Sequence, residues 1–256
     1  MNYIDKTTNA DAANEIVIDF LEETQRRRNN PGYKLFVQTP LKDQLRDLLI
    51  DEQQGYCCYC MRKLAKDETT TLEHAIPRGS DEAECNGYLT RYAGYFSDIV
   101  HLDAFVRTWS YPPYPHSVAY YNLMASCNGL LTEGTRDCSC CNNKRGHDEI
   151  VPLPFIPAIN SLIKYTSTGQ VYATDSDTQK DNAIKVLSLN TATLKEIRKL
   201  WHSVKKKGID VTTKAELLSV FDNDILKMPT DLLKYYQNDY YFNLFQSYKW
   251  FYGYYT

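Results

Sequence analysis

The sequence predicts an α+β chain with a small irregular centre between helical flanks. Three observations carry this expectation. Apolar residues recur at helical spacing near both ends, and a hairpin pattern stands after Pro157. Between them, seven of the eight cysteines gather in two loop-like stretches with little apolar periodicity. A core of that kind usually needs a metal to hold it.

Each element has a local reason. Ala13, Ile16, Val17, Phe20 and Leu21 mark a first helix over 11–28, and Arg26, Arg27 and Arg28 suit its negative C-terminal pole. Asn29-Asn30-Pro31-Gly32 breaks it. Thr39 reads as the N-cap of a second helix, with Pro40 at the first position and Leu41, Leu45, Leu48 and Leu49 on one face. Gly55 ends that helix, and 57–154 reads as mostly irregular. Leu162–Tyr165 and Gln170–Ala173 flank Thr166-Ser167-Thr168-Gly169 as a hairpin. Helices are then expected over 178–187, 191–207, 213–226 and 231–250, with Gly208 stopping the second after Lys205-Lys206-Lys207. The organisation is a helical segment over 1–55, a central unit over 56–156, and a hairpin with helices over 157–256.

Composition narrows the function. A chain of 256 residues that is 43% hydrophobic and 24% charged buries a real core, which excludes wholesale disorder. A net charge of -3 excludes coating of nucleic acid by bulk charge and leaves room only for a local basic site. From Lys164 to Asp210, nine Lys or Arg stand against five Asp or Glu, a modest local excess. No apolar run reaches the roughly 18 residues of a membrane span. The start, Met1-Asn2-Tyr3-Ile4-Asp5-Lys6, lacks a signal peptide's apolar core. The expectation is a cytoplasmic protein with no membrane partner, whose cysteines are thiols or metal ligands and not disulfides.

Cys57-Cys58-Tyr59-Cys60 contains one C-x2-C pair and Cys138-Ser139-Cys140-Cys141 another, with Cys127 between them. Thiolates two residues apart bind one zinc from a tight turn, and two such groups complete a tetrahedron. Spacing leaves the choice of four ligands open, and Cys85 reads as an ordinary small residue. Between the clusters, Thr69–Leu72 is β-prone and Pro77 ends the strand, so Glu73 and His74 sit at a strand end facing opposite ways. One side chain can then hold a hard divalent ion while imidazole, the usual base near neutral pH, activates water.

Downstream stand Asn122-Leu123-Met124-Ala125-Ser126-Cys127 and Cys141-Asn142-Asn143-Lys144-Arg145-Gly146. With Glu73-His74-Ala75-Ile76-Pro77, these segments resemble the three parts of an HNH endonuclease. The resemblance implies a zinc-stabilised ββα-metal (His-Me) finger core flanked by N-terminal and C-terminal helices. It is closer to the HNH component (PtuB-like) of Septu and retron anti-phage systems. The residues that narrow it are Glu52–Cys60, Ser126-Cys127-Asn128-Gly129, Lys144-Arg145-Gly146, Lys164–Gly169 and Val186–Asn190 with Leu194 and Arg198, within 41–201.

What the resemblance implies can be stated residue by residue. His74 is the general base, and Asn122 holds the imidazole or its loop. Glu73 and one of Asn142 or Asn143 bind a catalytic Mg2+ or Mn2+. Arg78, Lys144 and Arg145 contact phosphates of the nucleic acid. The structural zinc takes Cys57, Cys60, Cys127 and Cys141, with Cys138 in place of Cys127 as the rival set. His147 could serve as a ligand if the helix is shifted, while His101, His116 and His202 read as structural. The implied function is metal-dependent cleavage of DNA by a defence effector with an ATPase partner. The alternatives are cleavage of RNA at the same site, and an inactive zinc-stabilised docking module.

Two aromatic stretches remain. The insertion over 86–115 carries Tyr92, Tyr95, Phe96, Trp109, Tyr111 and Tyr114, a satellite core beneath a long loop or a set of base-stacking platforms. The last 25 residues hold much of the chain's 21 Tyr and either pack on its own core or dock a partner.

Overall fold

A computed structural model describes residues 1–29, 32–95, 115–132 and 135–255. Phe96, His101, Trp109, Tyr111 and Tyr114 of the aromatic insertion lie outside the described residues, as does the side chain of Cys138. The fold is mixed, with many helices and three two-stranded antiparallel sheets. Among the described residues, no helix is long and apolar enough to cross a membrane.

Helix α1 (Ala10–Arg26) buries Ala13, Val17, Phe20 and Leu21, the stripe its spacing predicts. It packs on α3 (Leu41–Glu52), with α2 (Tyr33–Phe36) as a short bridge whose Phe36 meets Phe20 edge to face at 5.1 Å. The expected cap of α3 is corrected by one residue. The N-cap is Pro40, and the Thr39 hydroxyl donates instead to the Phe36 carbonyl at 2.8 Å, closing the turn from α2.

The centre is more ordered than its irregular sequence suggests. Strand β1 (Thr70–His74) pairs with β2 (Leu123–Cys127), Thr70 opposite Cys127 and His74 opposite Leu123. Between them lies α4 (Glu82–Tyr92), which the sequence reading missed. Its signal was present: Asp81 accepts from the Glu84 amide at 2.8 Å and the Glu84 carboxylate accepts from the Asp81 amide at 2.9 Å, a full capping box. Strands β3 (Leu130–Thr132) and β4 (Thr135–Ser139) then lead into α5 (Cys141–Arg145), which packs on β2.

The hairpin forms as expected, from β5 (Ile163–Tyr165) and β6 (Val171–Ala173), preceded by the single turn α6 (Ile159–Leu162). Helix α7 (Thr178–Val186) follows, then α8 (Ala192–Lys207), capped by Thr191 and closed by Gly208 in the left-handed region. The expected helix over 213–226 is only α9 (Lys214–Ser219). The expected 231–250 helix is three: α10 (Thr230–Gln237), α11 (Asp239–Gln246) and α12 (Trp250–Tyr254). Asn238 causes the first break: its backbone is extended, and its side-chain Oδ1 caps α11 by accepting from the Tyr240 and Tyr241 amides.

The aromatic tail is packed on the chain itself. Leu232, Tyr235, Phe242, Leu244, Phe245, Tyr248, Phe251 and Tyr255 are buried. Phe245 stacks on Trp201 of α8 at 4.3 Å and accepts its indole N–H at the backbone. Among the described residues, the large apolar side chains left exposed are Val37, Tyr172 and Leu226, none of them in α10, α11 or α12. The basic excess of 164–210 also shrinks: Lys180 is buried on Asp175 and Asp177, and Arg198 is buried on the Gly169 and Leu189 carbonyls.

Phe245→Ala should cost about 3–5 kcal/mol in chemical denaturation. Leu226→Ser, 91% exposed, should stay within about 0.5 kcal/mol of the parent. Equal midpoints for the two variants would contradict this packing.

Candidate metal centre and catalytic cavity

The Cys57–Cys60 turn follows α3 directly. Gln53 anchors it, donating to the Tyr56 and Ala125 carbonyls and accepting from the Ala125 amide at 2.7 Å, which ties the end of α3 to β2. Cys127 ends β2 and Cys141 opens α5, so three distant segments bring their sulfurs together. Four buried cysteines, Cys57, Cys60, Cys127 and Cys141, have sulfurs within 4.8 Å of one another, and they can hold a metal such as zinc. The Cys57–Cys141 separation is 3.9 Å and the Cys60–Cys127 separation 3.6 Å. A tetrahedron with bonds of about 2.3 Å has edges of about 3.8 Å, so the donor set fits a four-thiolate zinc site.

The surroundings are made for thiolates. The Cys127 amide donates to Cys57 Sγ at 3.4 Å, and the Tyr248 hydroxyl, from the loop after α11, donates to Cys60 Sγ at 3.6 Å. Sequence reasoning gave Gln53 and Tyr248 no part in this site. Gly129 is required by a close approach: at φ 71°, a Cβ there would lie 2.1 Å from the Cys140 carbonyl. Cys141 itself has φ 56°, a left-handed conformation costing a non-glycine residue roughly 1 kcal/mol and sustained only by a constraining environment. Cys140 is buried with its sulfur 3.5 Å from that of Cys141. Burial pushes the Cys58 and Cys85 thiols up.

His74 ends β1 opposite Leu123, at the other end of the strand pair from Cys127. Its Nε2 lies 2.9 Å from the Ser117 carbonyl. A carbonyl can only accept, so Nε2 carries the proton and Nδ1 keeps a free lone pair. Burial lowers the His74 pKa from 6.5 to about 3, which keeps the ring neutral at physiological pH. Asn122 is fully buried and accepts from the Ile76 amide at 2.7 Å while donating to the Ile76 and His116 carbonyls. It fastens the chain beyond His74 and has no hydrogen bond to the imidazole. His116 is buried beside it with Nε2 3.1 Å from the Pro77 carbonyl, and His202 packs on Tyr255.

A cavity of about 240 Å³ is lined by Glu73, His74, Arg78, Asn142 and His147, among others. Arg78, Asn143, Lys144 and His147 are exposed. Arg78 and Lys144 carry no ion pair among the described residues. Asn142 donates to Thr71 Oγ1 at 3.2 Å, leaving its side-chain oxygen unused.

Arg145 corrects the expectation of a phosphate contact. It is 3% exposed, its guanidinium pairs with Glu73 and donates to the His74 and Ala75 carbonyls, and its Nε donates to the Asp148 carbonyl at 2.8 Å. Glu73 Oε1 also accepts from the Tyr59 hydroxyl at 3.0 Å. Burial raises the Glu73 pKa, with Arg145 and Tyr59 opposing that rise. Glu73 also lines the cavity, and its Oε2 takes neither the Arg145 bond nor the Tyr59 bond. That oxygen and the Asn142 amide oxygen are donors of the kind a hard divalent ion takes, with water and substrate phosphate to complete the shell.

No protein-family model matches the chain, and no curated protein matches it.

Protein purified without added metal should hold about one zinc, and serine at Cys57, Cys60, Cys127 or Cys141 should abolish zinc and solubility, since structural zinc supplies roughly 10–16 kcal/mol of apparent binding free energy. Cys58→Ser and Cys85→Ser should keep the metal, and a zinc-loaded Cys141→Ser protein would refute the ligand set. The ion pair makes a second prediction. Glu73→Gln leaves Arg145 as an unpaired buried charge and should cost about 3–5 kcal/mol, whereas Glu73→Gln with Arg145→Met should recover much of that loss. Additive losses in a double-mutant cycle would contradict it.

Proposed function

We propose that the chain is an HNH-type endonuclease that hydrolyses phosphodiester bonds of DNA. The observation that carries this reading is a neutral histidine, His74, with Nε2 committed to a backbone carbonyl and its ring lining a cavity shared with Glu73, Asn142 and the exposed Arg78. The β1–β2 pair, the short helix α5 and the four clustered cysteines support this reading.

In this reading His74 Nδ1 accepts a proton from water as its oxygen attacks phosphorus, and the opposite P–O bond breaks with its electron pair leaving on the sugar oxygen, which takes a proton from solvent water. Arg78 and Lys144 bind the flanking phosphates, positioning the strand without reading its sequence. Asn122 holds the Ala75–Ile76 backbone and so fixes where the base stands. A Mg2+ or Mn2+ ion held by the side-chain oxygens of Glu73 and Asn142 would supply positive charge to the scissile phosphate. A role as an anti-phage effector with an ATPase partner belongs to the same proposal and is supported by the sequence resemblance alone.

Cleavage of plasmid and labelled oligonucleotides, DNA and RNA in parallel, tests the reading. We expect Mg2+- or Mn2+-dependent cutting of DNA, reduced at least about 10²-fold by His74→Ala, the usual scale for a lost general base. Zinc content and thermal midpoint should be unchanged. Wild-type rates from His74→Ala would end the mechanism. Cutting of RNA alone would change the substrate, and binding without cutting would leave a docking module.

A further inference from the structure

The N-terminal forty residues enter none of the motifs, yet one of them touches the base. Tyr33, at the start of α2, meets the His74 ring in a T-shaped contact, with centroids 4.8 Å apart and planes at 74°. The same ring lies beneath Arg78, whose guanidinium carbon is 5.1 Å from its centroid. Phe36, one turn on, is fully buried against Phe20 and anchors α2 to α1. Tyr33 therefore stands on a fixed platform, half-buried.

We propose that Tyr33 is a positioning residue of the reaction, one ring fixing both the imidazole that serves as base and the guanidinium that binds the substrate phosphate. The proposal rests on the hydrolase reading above. Two observations argue for it. His74 is held at Nε2 by the Ser117 carbonyl, a single hydrogen bond that leaves the ring free to rock about that bond, and Tyr33 closes off that motion. Arg78 is exposed and without an ion pair among the described residues, so its long side chain would sample many rotamers; the tyrosine face holds it at the cavity rim without neutralising its charge. Burial raises the Tyr33 pKa to about 12, so the phenol stays uncharged and does not trap Arg78 as a salt bridge.

The test is a double-mutant cycle on the full-length, zinc-loaded protein with Tyr33→Phe, Tyr33→Leu, Arg78→Ala and Tyr33→Leu/Arg78→Ala. Cleavage kinetics are read together with binding of a fluorescent DNA oligonucleotide by anisotropy in a His74→Ala background. Tyr33→Phe keeps the ring and should act within about twofold of wild type. Tyr33→Leu should lower kcat by at least about tenfold, since small misplacements of a catalytic group are costly. It should also weaken oligonucleotide binding about threefold, the scale of an exposed cation–π contact. Arg78→Ala should weaken binding with a smaller effect on kcat. The double variant should bind no more weakly than Arg78→Ala, because the ring acts on phosphate only through that guanidinium. The proposal is overturned if the binding losses multiply, if Tyr33→Phe is as impaired as Tyr33→Leu, or if Tyr33→Leu keeps wild-type kcat. Wild-type protein that neither cuts nor binds nucleic acid would overturn the hydrolase reading itself, and this proposal with it.

Discussion

Four sulfurs from three separate stretches of chain must converge inside a protein whose centre has few other means of cohesion. Cys57 and Cys60 come from the turn after α3, Cys127 from the end of β2, and Cys141 from the first residue of α5. The sheet they lean on has two short strands, and such a pair is marginal without support. A metal held by those thiolates would supply that support, and other features accompany their convergence. Gly129 must pass against the Cys140 backbone, Cys141 must take a left-handed conformation, and the end of β1 is brought alongside α5.

The cations near His74 divide by burial, and burial decides what each can do. Arg145 lies in the chain interior, where leaving it unpaired would be costly, and it is bound to Glu73 and to the backbone carbonyls of His74, Ala75 and Asp148. Its role is to hold the strand end. Arg78 and Lys144 stand in solvent with their charge uncompensated, the condition under which a cation meets a phosphate. Adjacent residues in one basic motif, Lys144 and Arg145, therefore do different work because one faces out and the other in.

The C-terminal aromatic residues extend the same core. Phe245 lies flat on Trp201, Tyr165 is ringed by Trp250, Phe251 and Tyr254, and Tyr248 reaches the sulfur of Cys60. A tail that ends on a metal ligand couples the last helices to the centre. The Lys63 amide, bonded to the Ser247 carbonyl at 2.7 Å, adds a second link between the two regions. Stability of the metal site and packing of the tail are for this reason one property of the molecule.

Local signals in the sequence determined α1, α3, α8 and the β5–β6 hairpin, because apolar periodicity, capping residues and turn glycines act within a few residues of one another. They also determined that metal-binding cysteines were present and that Glu73 and His74 end a strand. The capping box of α4 was equally local and was passed over amid the cysteines and glycines of the centre. Other features belonged to the tertiary structure alone. Which four sulfurs meet, which of two neighbouring cations is buried, and which tyrosine from the N-terminal segment lies against His74 depend on contacts between residues tens of positions apart. Spacing along the chain carries no record of those distances. Packing settled them, by bringing α2, β1, β2, α5 and the tail around one core where each buried charge and sulfur had to find a partner.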